Sequence, residues 1–128
     1  RPSFFDDQVT ALRAGRMVKL FEDEWRTPLG LLAAARALAV IAEADVTGLL
    51  HLGGPERMSR LEMGLRLAGR LGAEARLIQS VRREEVPSPE PRPRDTSLGS
   101  SRWRLLFPRE PWPGWDESLD EMSVFRAY

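Results

Sequence analysis

Arginine is concentrated in this chain where the backbone cannot be regular. Arg92 and Arg94, with Arg102, Arg104 and Arg109 further on, outnumber the single carboxylate of Asp95 in the same segment. Guanidinium groups on an irregular loop suit a bidentate grip on phosphate or diphosphate. They equally suit a solvated strap whose surface ion pairs contribute little. Arg26 lies between the acidic cluster Glu22, Asp23, Glu24 and a helix start, a turn position from which a strand delivers a side chain to a cleft. It could also simply pair with Glu22 or Glu24. His51 is the only histidine and sits in an apolar run, where it reads as a hydrogen-bonded core residue. With one histidine and no cysteine, neither a Ser-His-Asp set nor a metal-ligand spacing can be built. Gly53 and Gly54 precede a helix and could admit an anion at its N-terminus. Pro55 removes a donor there and Glu56 adds a negative charge, so a plain turn is the better reading.

These residues must be held by a strand, a turn and a helix centred on Gly48 to Leu71. Leu49, Leu50 and Leu52 make a short apolar run between glycines, predicted as a strand buried on both faces of an α/β sheet. Ser59 and Glu62 have capping-box spacing, Met58 and Met63 occupy the positions of a hydrophobic staple, and Gly72 is placed to end the helix. Leu61, Leu65, Ala68 and Leu71 are expected on its inner face.

Upstream, Ser3 to Ala14 predicts a helix capped by Ser3, with Asp6 and Asp7 near its positive end and Phe5, Val9 and Leu12 on one face. Met17 to Phe21 reads as a strand. Thr27 before Pro28 predicts an N-cap for an Ala-rich helix to about Glu43, with Leu31, Ala35, Leu38 and Ala42 facing inward. Downstream, Leu77 to Val81 reads as a strand or extended edge. Pro87, Pro89, Pro91 and Pro93 make residues 82–95 an extended surface strap. A short helix from Ser100 to Phe107 carries Trp103 and Leu106. A last helix, capped by Asp116, turns Leu119, Met122 and Phe125 inward, while Trp103, Trp112 and Trp115 fasten the C-terminal segment.

At 128 residues the chain is the size of one domain, and its formal net charge of +0 gives no general case for nucleic acid or an acidic membrane. No apolar run approaches the length of about 20 residues that spans a bilayer. The absence of cysteine rules out a disulfide framework and suits a reducing cytoplasm. The chain opens at Arg1 rather than methionine, as expected of a processed product or a piece of a longer protein.

The order of these blocks resembles the C-terminal region of extended short-chain dehydrogenases, in particular the dTDP-4-dehydrorhamnose reductase branch. Ser3-Phe4-Phe5 is similar to the Asn-Phe element that opens the substrate-binding part. Phe21 to Leu29 is similar to the entry into the late helix, and Gly48 to Met63 to the strand, Gly-rich turn and Ser-x-x-Glu helix. Arg92 to Arg102 resembles the Arg-Pro-x-x-Ser-x-Leu-Asp-x-x-Lys signature, and Trp115 to Met122 the terminal helix. The resemblance implies an α/β fold, the C-terminal part of a Rossmann-like protein built of helices with a few short strands. Residues 1–128 would be its substrate-binding region, the lobe that closes over a nucleotide-sugar.

Ser3, Arg26, Arg92 and Arg94 are the substrate-binding positions on this reading, with Arg26 and Arg92 mapped onto the diphosphate-contacting arginines. The family's Gly-rich loop and Tyr-x-x-x-Lys pair lie upstream, and the only tyrosine here is Tyr128. The resemblance therefore assigns NAD or NADP, and hydride transfer, to an N-terminal Rossmann half, with no catalytic or cofactor-binding residue in this chain. That half is an expected partner, and a homodimer through the parent protein is compatible with the reading. Departures from the pattern are Ser3 for asparagine, and Gly30 and Gly99 where aspartates are common. Gly30 inside the Ala-rich helix would cost up to about 1 kcal/mol against alanine. The alternative is a non-catalytic regulatory or interaction protein of the same fold, like the regulatory subunit of methionine adenosyltransferase.

Overall fold

The structure, a computed structural model, describes residues 3–122. The chain runs α1 (Phe4–Arg13), β1 (Val18–Phe21), β2 (Trp25–Arg26), α2 (Leu31–Glu43), β3 (Met58–Ser59), α3 (Arg60–Leu71), β4 (Ile78–Val81), α4 (Ser101–Leu106) and α5 (Trp115–Glu121), with 3-10 turns at Ala75–Leu77 and Arg83–Glu85. It forms two compact units: Arg1–Trp25 with Met58–Asp95, and Arg26–Arg57 with Thr96–Tyr128.

In the first unit, β1 and β4 pair in parallel, Val18 opposite Ile78 and Phe21 opposite Val81. Parallel neighbours need a long crossover, and this one contains α3, which packs on α1, β1 and β4. The capping box predicted at Ser59 is present, and the predicted N-cap Ser3 also forms one with Asp6. The Ser59 hydroxyl accepts from the Glu62 N–H (3.1 Å) and the Glu62 carboxylate accepts from the Ser59 N–H (2.8 Å). Gly72 closes α3 at φ 65°, a left-handed conformation that costs glycine nothing. The inner stripe of α3 differs from the expectation. Ala68 is buried as expected, but Gly64 and Leu67 are buried in place of Leu65, which is 41% exposed. Gly64 is what turns the helix: its missing side chain makes room for Leu20 of β1, which is 1% exposed.

At α1 the Ser3 hydroxyl accepts from the Asp6 N–H (3.2 Å), and the Asp6 carboxylate accepts from the Ser3 N–H (2.9 Å). The Ser3 side chain, and then its backbone N–H, hold the Asp6 carboxyl below its ordinary range. A depressed folded pKa stabilises above the unfolded value and loses that contribution as pH falls through the folded one. Acidification through the carboxylate range is therefore expected to lower the amide protection factors of the first turn of α1. Protection unchanged to the acid limit of folding would contradict this.

The second unit is built on α2, α4 and α5, with Ala33, Ala37, Trp103, Trp115 and Leu119 buried. Helix α2 starts at Leu31 with Gly30 as N-cap, three residues later than Thr27-Pro28 suggests. Thr27 is otherwise engaged: its hydroxyl accepts from the Leu98 N–H (3.1 Å) and its carbonyl from the Gly54 N–H (3.0 Å). Gly30 thus lies outside the helix interior and carries no mid-helix penalty. A Cβ there would stand 3.1 Å from the Ser118 Cβ of α5.

The inward face of α2 is Ala33 and Ala37, whereas Leu31 is 87% and Leu38 60% exposed. Nor do Leu49 to Leu52 form a strand. Leu49 is 78% exposed and His51 is exposed rather than in a core. The main-chain groups of Leu50, His51 and Leu52 bond to none of the described residues, so the ladder a buried strand requires is missing.

Trp103 and Trp115 are buried as fasteners, and the Trp112 indole N–H donates to the Gly53 carbonyl (2.8 Å). Helix α5 is capped at Gly114 rather than Asp116. The Gly114 N–H donates to Glu117 and the Trp115 N–H to Glu56, each at 2.8 Å. Leu119 is buried as expected, and Phe125 lies outside the described residues.

Candidate functional site

In the first unit, the strap of residues 82–95 is exposed and irregular after its opening 3-10 turn, as its alternating prolines require. It is nevertheless tied down. The Arg83 backbone N–H (3.1 Å) and Nε–H (3.2 Å) both donate to Asp23, and Arg83 also donates to the Arg92 carbonyl (2.7 Å). The Trp25 N–H donates to the Arg94 carbonyl (2.8 Å), and Trp25 bridges Asp95. Glu22 accepts from the Ser80 hydroxyl (2.7 Å) and from Arg82 Nε–H (2.8 Å), and these contacts hold its carboxyl below the ordinary range.

Arg92 is held from two sides. Its Nε–H donates to the Glu24 carboxylate (2.9 Å), and its guanidinium lies 4.8 Å from the centroid of the Phe21 ring. Glu24 is 2% exposed, with Arg60 Nε 3.8 Å away on its other oxygen. A carboxylate buried that deeply persists because it is paired with charge. Holding Arg92 by Nε and a ring face leaves its two terminal nitrogens with no hydrogen bond among the described residues. That is the fork a diphosphate oxygen pair fits. Arg94 lines an open cleft of about 520 Å³ with Glu22, Asp23, Trp25, Arg82 and Glu84, and its guanidinium makes no bond among the described residues.

The other predicted positions lie elsewhere. Ser3 is exposed, and its hydroxyl and N–H are engaged in capping α1. Arg26 is half-buried and opens the second unit. Arg92 and Arg94 thus share one strap but line different clefts. Arg102 and Arg104 are structural staples: Arg102 donates to the carbonyls of Leu49 (2.6 Å) and Thr47 (2.7 Å), and Arg104 to that of Glu110 (2.9 Å). Sequence reasoning missed Glu24 as the anchor of Arg92. The two are 68 residues apart, and no local pattern links them.

The turn at Gly53 and Gly54 has no main-chain donor left for a dinucleotide. The Gly53 N–H donates to the Ser100 hydroxyl (2.8 Å) and the Gly54 N–H to Thr27, while Pro55 has none. Both donors that could cradle a pyrophosphate are used within the fold. A Cβ at Gly54 would collide with the Pro28 carbonyl, so this glycine serves backbone packing. These residues offer no pyrophosphate cradle for NAD(P). Among the described residues no helix is long and apolar enough to cross a membrane, and no cluster of acidic or histidine side chains could hold a metal ion.

A parallel α/β pair, capped helices and a proline-rich strap of balanced charge define an α/β region. The chain belongs to the family described as the RmlD substrate binding domain, which matches residues 3–124. Among solved structures it is similar to dTDP-4-dehydrorhamnose reductase from Bacillus anthracis in complex with NADP. The TM-score is 0.84 at 14% identity, over 98% of this chain and 44% of that one. It is also similar to a dTDP-4-dehydrorhamnose reductase from Clostridium acetobutylicum, with TM-score 0.81 and 20% identity over 94% of this chain and 42% of that one. A dTDP-glucose 4,6-dehydratase from Bacillus anthracis in complex with NAD matches with TM-score 0.76 and 17% identity, over 96% of this chain and 38% of that one. The chain therefore spans less than half the length of these structures, and the likeness shows the α/β fold of the matched part. No curated protein matches it.

Proposed function

We propose that this chain is the nucleotide-sugar-binding portion of an NAD(P)-dependent sugar-nucleotide reductase, and that it closes over a substrate held by its diphosphate. The observation that carries this reading is the family match across residues 3–124. The anchored fork of Arg92 supports it, because a pre-positioned guanidinium loses little freedom on binding. Arg92 and Arg94 take the diphosphate from the strap, and Arg26 keeps the substrate-binding role that the resemblance implies. The dinucleotide and the hydride-transfer residues belong to an N-terminal half. The regulatory alternative gains no support from the reductases and dehydratases described above.

Binding of dTDP and of a dTDP-sugar to the full-length protein, measured by titration calorimetry, tests the site. Arg92→Ala and Arg26→Ala are each expected to weaken binding more than tenfold, about 1.4 kcal/mol. Unchanged affinity in both variants would overturn the assignment.

The N-terminal half also accounts for the apolar outer face of the second unit. Leu31, Leu38 and Leu49 are exposed, and the adjacent run Leu50 to Leu52 has unpaired main-chain groups, the features of a surface that completes a larger sheet. Residues 1–128 expressed by themselves are expected to self-associate in light scattering. A monomer with sharp, reversible unfolding would count against the larger protein as the home of this surface.

A further inference from the structure

In the first unit five side chains are linked in a series that alternates ring, cation, carboxylate, cation, ring. Its centre is Glu24, which is buried. Arg92 Nε–H donates to Glu24 Oε1 at 2.9 Å, and Arg60 Nε stands 3.8 Å from Oε2, so each carboxylate oxygen faces a different arginine. Each arginine is backed by a ring. The Arg92 guanidinium lies 4.8 Å from the centroid of Phe21, and the Arg60 guanidinium 4.9 Å from that of Phe4. Phe21 ends β1, Phe4 opens α1 and Arg60 opens α3. The Phe4 ring is 52% exposed, so its contact with Arg60 is that of a platform rather than of a core residue.

The last torsion of a glutamate side chain is broad, and a carboxylate held at one oxygen can turn about it. A second cation on the other oxygen fixes the carboxylate plane, and with it the direction from which Oε1 receives Arg92. Two cations also offset the cost of burying the carboxylate better than one. The main chain is tied independently: the Arg60 N–H donates to the Glu24 carbonyl (2.9 Å), a bond that every substitution except proline keeps. Changing the Arg60 side chain therefore alters the aim of Glu24 while leaving the start of α3 attached.

We infer that Arg60 is a positioning residue for Arg92: acting through Glu24, it fixes the direction in which the Arg92 fork points. What Arg92 holds rests on the nucleotide-sugar reading. What holds Arg92 does not.

The test is a double-mutant cycle on the full-length protein, with dTDP affinity read by titration calorimetry for Arg60→Gln, Arg92→Ala and the pair. Arg60→Gln is expected to weaken dTDP binding about fivefold in the wild-type background and to change nothing where residue 92 is already alanine. Arg60→Lys, which keeps the charge, is expected to bind closer to wild type than Arg60→Gln. Equal weakening in both backgrounds would overturn the inference, since Arg60 would then act on the ligand or on the fold at large. No weakening in the wild-type background would also overturn it. A second measurement needs no ligand: the 15N-labelled protein gives an Arg92 Nε–H resonance, identified by its disappearance in Arg92→Ala. Its protection from exchange with water is expected to be lost in Arg60→Gln, and unchanged protection would overturn the inference. Failure of the wild-type protein to bind dTDP would sink the nucleotide-sugar reading, and the Nε–H exchange would still decide what Arg60 does.

Discussion

Gly54→Ala is expected to be among the most damaging single-methyl additions in this protein, with a loss of about 3 kcal/mol or more in unfolding free energy. A Cβ at this position points into the carbonyl of Pro28, which is backbone and cannot rotate away. The neighbouring hydrogen bond from the Gly54 N–H to Thr27 (3.0 Å) holds the two segments at that distance. Relieving the clash means separating the 27–28 turn from residues 53–54, which also gives up the Thr27 contacts. Gly99→Ala is the control: a Cβ there meets nothing within 4 Å, and the variant should stay within about 0.5 kcal/mol of wild type. Urea denaturation followed by tryptophan fluorescence reads both. Gly54→Ala within 1 kcal/mol of wild type would mean that the two segments are not in contact as described. Because Arg26 precedes this turn, the same variant is expected to weaken nucleotide-sugar binding.

Glu24→Ala is the second. It removes a carboxylate that is 2% exposed and that receives Arg92 at 2.9 Å and Arg60 at 3.8 Å. Breaking a fully buried pair costs about 3–5 kcal/mol. Here the two arginines are 45% and 28% exposed, so water recovers part of their hydration and about 2–3 kcal/mol is the expected loss. Glu24→Gln keeps the shape and one acceptor, and should fall between. The variant should also free the strap, so that trypsin cuts after Arg94 faster than in wild type. Stability and cleavage both unchanged would show that Glu24 does not anchor Arg92. The functional consequence is distinct from the stability loss: Arg92 would keep its charge but not its aim, so nucleotide-sugar affinity should fall even where the protein stays folded.

Legibility in the sequence follows the range of the interactions. The caps at Ser3 and Ser59 were readable because both partners lie within three residues. The strands Val18–Phe21 and Ile78–Val81 and the proline strap were readable from local composition. The start of α2 was not, because Thr27 forgoes the cap for a contact with Leu98, 71 residues away. Its inner face was misread because an Ala-rich helix is apolar all round, so that periodicity could not separate Ala33 and Ala37 from Leu31 and Leu38.

In α3, Gly64 carries no apolar signal yet faces the core, since what it supplies is space for Leu20. At the site, Arg92 and Arg94 stood out by type and setting. What aims Arg92, the buried Glu24 and the Phe21 ring, comes from β1 and the turn after it, far away in sequence, and only the fold brings them together.

Hydrogen exchange on the full-length protein, with and without a dTDP-sugar and with and without NADPH, tests the central claim most directly. A nucleotide-sugar lobe that leaves the dinucleotide to another part of the protein predicts slower exchange at Arg92 to Asp95 with the dTDP-sugar. It predicts no change at Gly53 and Gly54 with NADPH alone. Protection of Gly53 and Gly54 by NADPH, with the strap indifferent to the dTDP-sugar, would contradict the account.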